Sequence, residues 1–401
     1  METETGFLPA GTVTSARGFV AGATSAGIKT DNSLDLGILF SEAPCVTAGL
    51  FTTNRIKAAP VILCQDNLPG ETIRAVVANS GCANAGTGEQ GLCDAIVMAT
   101  VAAEQVGVPL RDVLVASTGL IGKMLPLVPL KAGIKKINLT AGGGHALARA
   151  IMTTDTVPKE VALRGADSDF IIGGVAKGSG MIHPQMGTLL CFLATDARVD
   201  KNFLARALAQ AVDSSFNMVS IDGDTSPNDT VILMANGLAG NETVGQDTEP
   251  AAAFQQALNR VCIYLAKAIA RDGEGASRLI EVNVQGASSV AGARLAARAV
   301  VASPLVKAAV HGGDPNWGRI LAAVGRSGAE LEESKLDISI GGIQLAAGGS
   351  ALSFSKKKMA AVFERGEVAI AINLNLADAA ATAWGCDLSP EYVTINNQYS
   401  T

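Results

Sequence analysis

Thr188 stands between Gly187 and the apolar run Leu189, Leu190, Cys191, Phe192, Leu193, near the middle of the stretch GSGMIHPQMGTLLCFLATDA (Gly178 to Ala197). Glycine accepts backbone angles closed to other residues, and the Thr188 hydroxyl lies next to the carbonyl that precedes it in the chain. Attack of that hydroxyl on the Gly187 carbonyl, an N-to-O acyl shift, gives an ester. Hydrolysis of the ester cuts the chain and leaves Thr188 with a free α-amine. Such an amine has a reference pKa of about 8 and serves as a general base near neutrality. A threonine so equipped is a recognised nucleophile that carries its own base. Alone, a glycine-threonine pair before a buried strand says little.

A second stretch bears on the same chemistry. STGLIGK, Ser117 to Lys123, follows the apolar run Val113 to Ala116. Thr118 and Gly119 at a strand end present a hydroxyl and a backbone N–H, two donors able to hold a developing oxyanion. On local sequence alone an ordinary strand-ending turn is the better reading. Three polar loops also stand out: SIDGDTSPND (Ser220 to Asp229), DGEGASR (Asp272 to Arg278) and GGDPNWGR (Gly312 to Arg319). Each reads either as a binding loop or as a set of Asx-type turns. Asp222 and Asp224 lack the register and closing glutamate of an EF-hand. GTGEQG (Gly86 to Gly91) matches the dinucleotide fingerprint by letter, but it begins well after the preceding strand and carries Glu89 where a pyrophosphate would lie. A glycine-rich turn is the better reading.

The elements that must position these residues follow from apolar patterning. Strand-like runs cover Leu36 to Ser41, Ala75 to Asn79, Val113 to Ser117, Phe170 to Val175, Leu189 to Leu193, Val231 to Met234, Ile280 to Val284 and Val368 to Leu374. Helical patterns cover Cys93 to Gln105, Lys201 to Val212 behind an Asp200 cap, Ala251 to Ala270 and Val290 to Ala302. Strands and helices mix without strict βαβ alternation, which predicts an α/β fold of layered, α+β character. Gly142-Gly143-Gly144 and Gly240 to Glu249 read as surface connections.

Composition narrows the function classes. The 401-residue chain has 31 basic and 37 acidic side chains, a net charge of −6, which argues against nucleic acid or an anionic membrane as the main partner. The amino terminus shows no signal or transit pattern, and no apolar stretch reaches membrane-spanning length. Seven scattered cysteines, none in a CxxC pair, fit a reducing cytoplasm better than a disulfide frame or zinc site. The three histidines, His145, His183 and His311, form no HExxH or HxxxH pair, so no metal site is expected. With no GxSxG elbow either, a nucleophile that needs no histidine accounts for the scarcity.

Long motifs in one order extend over nearly the whole chain: FTTNRIKAAPV (Phe51 to Val61), NSGCANAGTG (Asn79 to Gly88), STG (Ser117 to Gly119), AIMTTDTVPK (Ala150 to Lys159), AKGSGMIHPQMGTLL (Ala176 to Leu190), SIDGDTSPND, DGEGASR, DPNWGRI (Asp314 to Ile320) and INNQYST (Ile395 to Thr401). In these the chain resembles the ornithine acetyltransferase family, whose bifunctional members also act as amino-acid N-acetyltransferases in cyclic arginine biosynthesis. Gly187 stands where the family usually has alanine, Gln185 where it has asparagine, Pro227 where threonine is frequent, and Cys82 where a polar residue is common.

The resemblance implies a self-cleaving precursor with an α chain of residues 1–187 and a β chain of 188–401, intertwined in the family's layered α/β architecture and assembled as α2β2. It implies Gly187-Thr188 as the scissile bond, Thr188 as nucleophile, and Thr118 with Gly119 as oxyanion hole. Substrate-binding positions fall on Thr154, Lys177, Thr188, Glu274, Asn396 and Thr401, with Lys177 suited to an α-carboxylate and Glu274 to an ammonium. The substrates implied are N-acetylornithine and glutamate, with acetyl-CoA as a further possible donor, no metal or organic cofactor, and a cytoplasmic location. A carboxy-terminal tag is then expected to raise KM. A self-cleaving aminopeptidase or amidase is the alternative and predicts acetate release without glutamate. A nucleotide-dependent oxidoreductase built on GTGEQG predicts binding of NAD or NADP.

Overall fold

Alternate residues of the Leu190–Thr195 strand enter two different cores. Leu190, Phe192 and Ala194 face one, Cys191 and Leu193 the other. Side chains of a strand alternate between faces, so a strand covered on both sides must be apolar at every position. That explains the unbroken run after Thr188. The computed structural model describes residues 6–68, 72–165, 169–183 and 189–398.

The sheet that holds this strand runs, from edge to edge, Val113–Ser117, Ile73–Asn79, Leu36–Phe51, Thr230–Ala235, Leu190–Thr195, Ile171–Lys177 and Lys159–Arg164. Phe19–Thr24 pairs antiparallel with the first part of Leu36–Phe51. Leu190–Thr195 is parallel to Thr230–Ala235 and antiparallel to Ile171–Lys177, with Lys177 opposite Leu190. Residues from before and after position 188 therefore interleave in one sheet.

Helices Ala59–Asn67, Gly88–Val106 and Gly144–Ala150 cover one face of this sheet. Lys201–Asp213 and Ala251–Arg271 pack together on the other. The second of these also contacts a second sheet, ordered Ser350–Ala351, Ile343–Ala347, Asp337–Ile340, Glu367–Asn373, Leu279–Ala287, Ala379–Cys386 and Val219–Ser220. Val290–Val301 packs along its Leu279–Ala287 and Ala379–Cys386 strands. The architecture is the expected layered α/β arrangement. Among the described residues, no helix is long and apolar enough to cross a membrane.

Several boundaries differ from the sequence expectation for physical reasons. Leu36–Phe51 continues well past Ser41 as a 16-residue strand. Its apolar run is broken by Glu42 and Pro44, where the pairing register also shifts. Gly88–Val106 starts five residues before Cys93, with the last glycines of GTGEQG inside its first turn. A Cβ on Gly91 would lie 1.9 Å from Thr87 Oγ1, so that glycine admits a neighbouring side chain. Gly143 and Gly144 are not a plain surface link. A Cβ on Gly143 would meet Ala21 O at 1.7 Å, and one on Gly144 would meet Thr12 at 2.6 Å. The Asp200 cap is present, accepting the Phe203 N–H at 2.9 Å.

Candidate active site

Val113–Ser117 ends against the loop that follows Ile73–Asn79, and the turn beyond it carries Thr118 and Gly119. The Thr118 N–H donates to Asn79 O at 3.0 Å, and Thr118 and Gly119 both line one cavity. Gly119 has φ +126°, and a Cβ there would sit 2.4 Å from Gly81 C and 2.6 Å from Cys82 N. Only glycine fits such a position without displacing the neighbouring backbone. Asn228 fixes the turn from the far side, its Nδ2 donating to Ser117 O at 2.8 Å and Ala83 O at 2.6 Å.

The same cavity is lined by Thr154, Lys177, Glu274 and Asn396. Six residues singled out in the sequence, drawn from five separated segments, are thus gathered at one place. Glu274 is their junction. Its Oε1 accepts the Thr154 hydroxyl at 2.7 Å, and its Oε2 accepts Asn396 Nδ2 at 2.7 Å. Asn396 comes from the helix Pro390–Gln398, which thereby contributes to the cavity wall. Gly180 makes room for the carboxylate, since a Cβ there would lie 2.4 Å from its carbon.

Lys177 is buried at the end of its strand, with Nζ 4.0 Å from Asp155 Oδ2. Burial, and to a lesser degree the nearby Lys159 charge, lowers its pKa against the pull of Asp155, Glu274 and Asp229. Asp155 shows the opposite balance. Burial opposes its ionisation, but Lys177, Lys159 and its hydrogen bonds prevail and hold its carboxyl well below the usual range.

Gly187, Thr188 and Thr401 lie outside the described residues. The residue that follows Thr188 is described: Leu189 donates its N–H to Asp229 Oδ1 at 3.2 Å and accepts the Thr230 N–H at 3.0 Å. Asp229 is wholly buried, and burial raises its pKa well above the ordinary carboxylate value despite the hydrogen bonds it accepts. On the other side, Asp222 holds the backbone N–H groups of Met181 and Ile182 at 2.5 and 2.9 Å. Both approaches to the segment 184–188 are therefore anchored by carboxylates of SIDGDTSPND.

This gathering of motifs has close counterparts. The ArgJ family model matches residues 20–401. The arginine biosynthesis bifunctional protein ArgJ of Dehalococcoides mccartyi is 51% identical over 405 residues, covering 100% of both chains. The chain belongs to the ArgJ family. The corresponding ArgJ of Symbiobacterium thermophilum is 49% identical over 98% of this chain and 99% of its own. A crystal structure of ArgJ from Bacillus halodurans is 44% identical with a TM-score of 0.51, covering 52% of this chain and 98% of that one.

Within this ArgJ-family chain, several residues that shape the site leave little sign in the sequence. Ser179 contacts the Thr154 hydroxyl at 2.7 Å. Asp155, Lys159 and Asp272 form a buried ion-pair chain behind the cavity, with Lys159 Nζ 2.7 Å from Asp155 and 2.6 Å from Asp272. Lys159 follows Asp155 by four residues within AIMTTDTVPK, which is a usable signal; its tie to Asp272 spans 113 residues and leaves none. GGDPNWGR, by contrast, builds structure: Asn316 caps Trp317–Gly325 through the Arg319 N–H, and Arg319 donates to Leu305 O.

Proposed function

We propose that this chain transfers the acetyl group of N-acetylornithine to glutamate through an acetyl-enzyme on Thr188. The observation that carries the reading is the convergence of Thr118, Gly119, Thr154, Lys177, Glu274 and Asn396 on one cavity, in a chain whose matched relatives are arginine-biosynthesis proteins over their full length.

Cleavage between Gly187 and Thr188 frees the Thr188 α-amine. That amine takes the proton of the Thr188 hydroxyl as the oxygen attacks the acetyl carbonyl. The Thr118 hydroxyl and the Gly119 N–H hold the tetrahedral oxyanion. Ornithine leaves with a proton on its α-amine, and the acetyl group stays as an ester on Thr188. The glutamate amine then attacks the ester and N-acetylglutamate departs, so the reaction is ping-pong. Lys177 pairs with the substrate α-carboxylate. Glu274 takes the ammonium, held by Thr154 and Asn396, and Thr401 completes this end of the site. Acetyl-CoA serves as a second donor.

The pieces 1–187 and 188–401 remain together, assemble as α2β2 and act in the cytoplasm. Support for the division comes from the Bacillus halodurans structure, whose solved chain matches just over half of this one, the share that a piece beginning at Thr188 makes up. The deciding experiment is intact mass under denaturing conditions, beside Thr188→Ala. Two fragments, the second starting at Thr188, and a single uncut variant are expected. Incubation of the cut protein with N-acetylornithine alone should then add one acetyl group to the second fragment. An uncut wild type, or acetate released freely without glutamate, sinks the transferase reading.

A further inference from the structure

We infer that Asp155, Lys159 and Asp272 are positioning residues: a buried charge ladder that joins the three segments carrying Thr154, Lys177 and Glu274 and keeps Lys177 cationic toward the substrate carboxylate. This rests on the reading of those three as substrate-binding residues.

The geometry is specific. Asp155 follows Thr154 directly, and its Oδ1 accepts the Gly178 N–H at 2.7 Å, the residue after Lys177. Its Oδ2 accepts the Thr153 N–H at 3.0 Å and faces Lys177 Nζ. Lys159 reaches from the sheet's edge strand to Asp155 on one side and Asp272 on the other. Asp272 precedes Glu274 by two residues and also accepts the Thr156 N–H at 3.0 Å. The segments that carry Thr154, Lys177 and Glu274 are therefore tied to one ladder. Asp155, Lys159 and Lys177 are all at most 2% exposed on their side chains, and Asp272 is 7% exposed.

A buried ammonium tends to lose its proton unless an anion stands close. Asp155 is that anion for Lys177. It is itself sustained by Lys159, and Lys159 by Asp272, so two carboxylates balance two ammonium groups. The other charged groups acting on Lys177 are Glu274, already bonded to Thr154 and Asn396, Asp229, whose pKa burial raises, and Lys29. Glu274 also ties these two segments, accepting the Thr154 hydroxyl and donating its own N–H to Ser179 O at 2.8 Å, whereas Asp155 joins them from the buried side, 4.0 Å from Lys177 Nζ.

The test is the pH profile of kcat/KM for glutamate acetylation by the cleaved enzyme. The Thr188 amine must be unprotonated and Lys177 protonated, so the amine sets the rising limb and Lys177 the falling limb. Asp155→Asn should raise KM about tenfold near neutrality and move the falling limb down by about one pH unit, with kcat changing much less. Asp272→Asn, at the outer end, should act in the same direction and more weakly. Lys177→Met is the reference. If it leaves KM unchanged, the binding role of Lys177 itself is wrong. If it raises KM while Asp155→Asn does not, the ladder is wrong. A raised KM with the falling limb unmoved also overturns it, because loosened packing alone does that. Should Asp155→Asn not fold, Asp272→Asn decides: an unmoved limb there rejects the proposal.

Discussion

A Cβ placed on Gly180 would meet the Glu274 carboxyl at 2.4–2.5 Å, far inside contact distance, so Gly180→Ala must push that carboxylate off Thr154 and Asn396. Weaker binding of the substrate ammonium is expected, seen as a KM several times higher for N-acetylornithine than in the wild type. Thr118→Ala removes the proposed oxyanion donor while leaving the turn's Asn79 contact in place. It should lower kcat by about 10²–10³ with little change in KM. Gly119→Ala combines a positive φ with a clash against backbone, and a loss of about 1–3 kcal/mol in unfolding free energy is expected alongside lost activity. At this scale the sequence was informative where motifs are local. The turn at Thr118-Gly119 could be placed because it follows an apolar run, while its proposed oxyanion role came from the family resemblance and not from the local residues. Asp155 and Asp272 could not be paired, because nothing in the chain between them records that both face Lys159.

Elements with one buried face or two were legible from periodicity. Lys201–Asp213 shows Phe203, Leu204, Ala207, Leu208 and Ala211 on one stripe, and two central strands hold unbroken apolar runs, Leu190 to Ala194 and Val231 to Ala235. Elements that bury little or are built from small residues were not. Ala379–Cys386, with the sequence AAATAWGC, offers no alternation, and Pro390–Gln398 has no buried residue at all, hence no apolar stripe to detect. That last helix nevertheless delivers Asn396 to Glu274. Truncation after Ser389 should therefore leave thermal stability nearly unchanged while raising KM, a combination that steady-state kinetics beside a melting curve will resolve. A truncated protein that loses its fold would refute this view of the helix as a positioning arm.

For the molecule as a whole, the arrangement of strands matters more than any one contact. Leu190–Thr195 begins two residues after the proposed break and is hydrogen-bonded along both edges, to Ile171–Lys177 on one side and Thr230–Ala235 on the other. Leu36–Phe51, from the first piece, pairs with Thr230–Ala235 from the second. A cut at Gly187-Thr188 thus severs the chain without freeing either part, and the two fragments should co-elute in size exclusion and separate only in denaturant. Their histories diverge once they are denatured. The uncut chain can regain its sheet in a first-order process, whereas the cut one must bring two molecules together to rebuild a sheet in which two strands of one lie between strands of the other. Recovery of the mature enzyme after dilution from urea should then depend on protein concentration, while recovery of Thr188→Ala should not. Maturation would in that way turn a self-sufficient folding unit into one that remembers its fold only in the company of its other half.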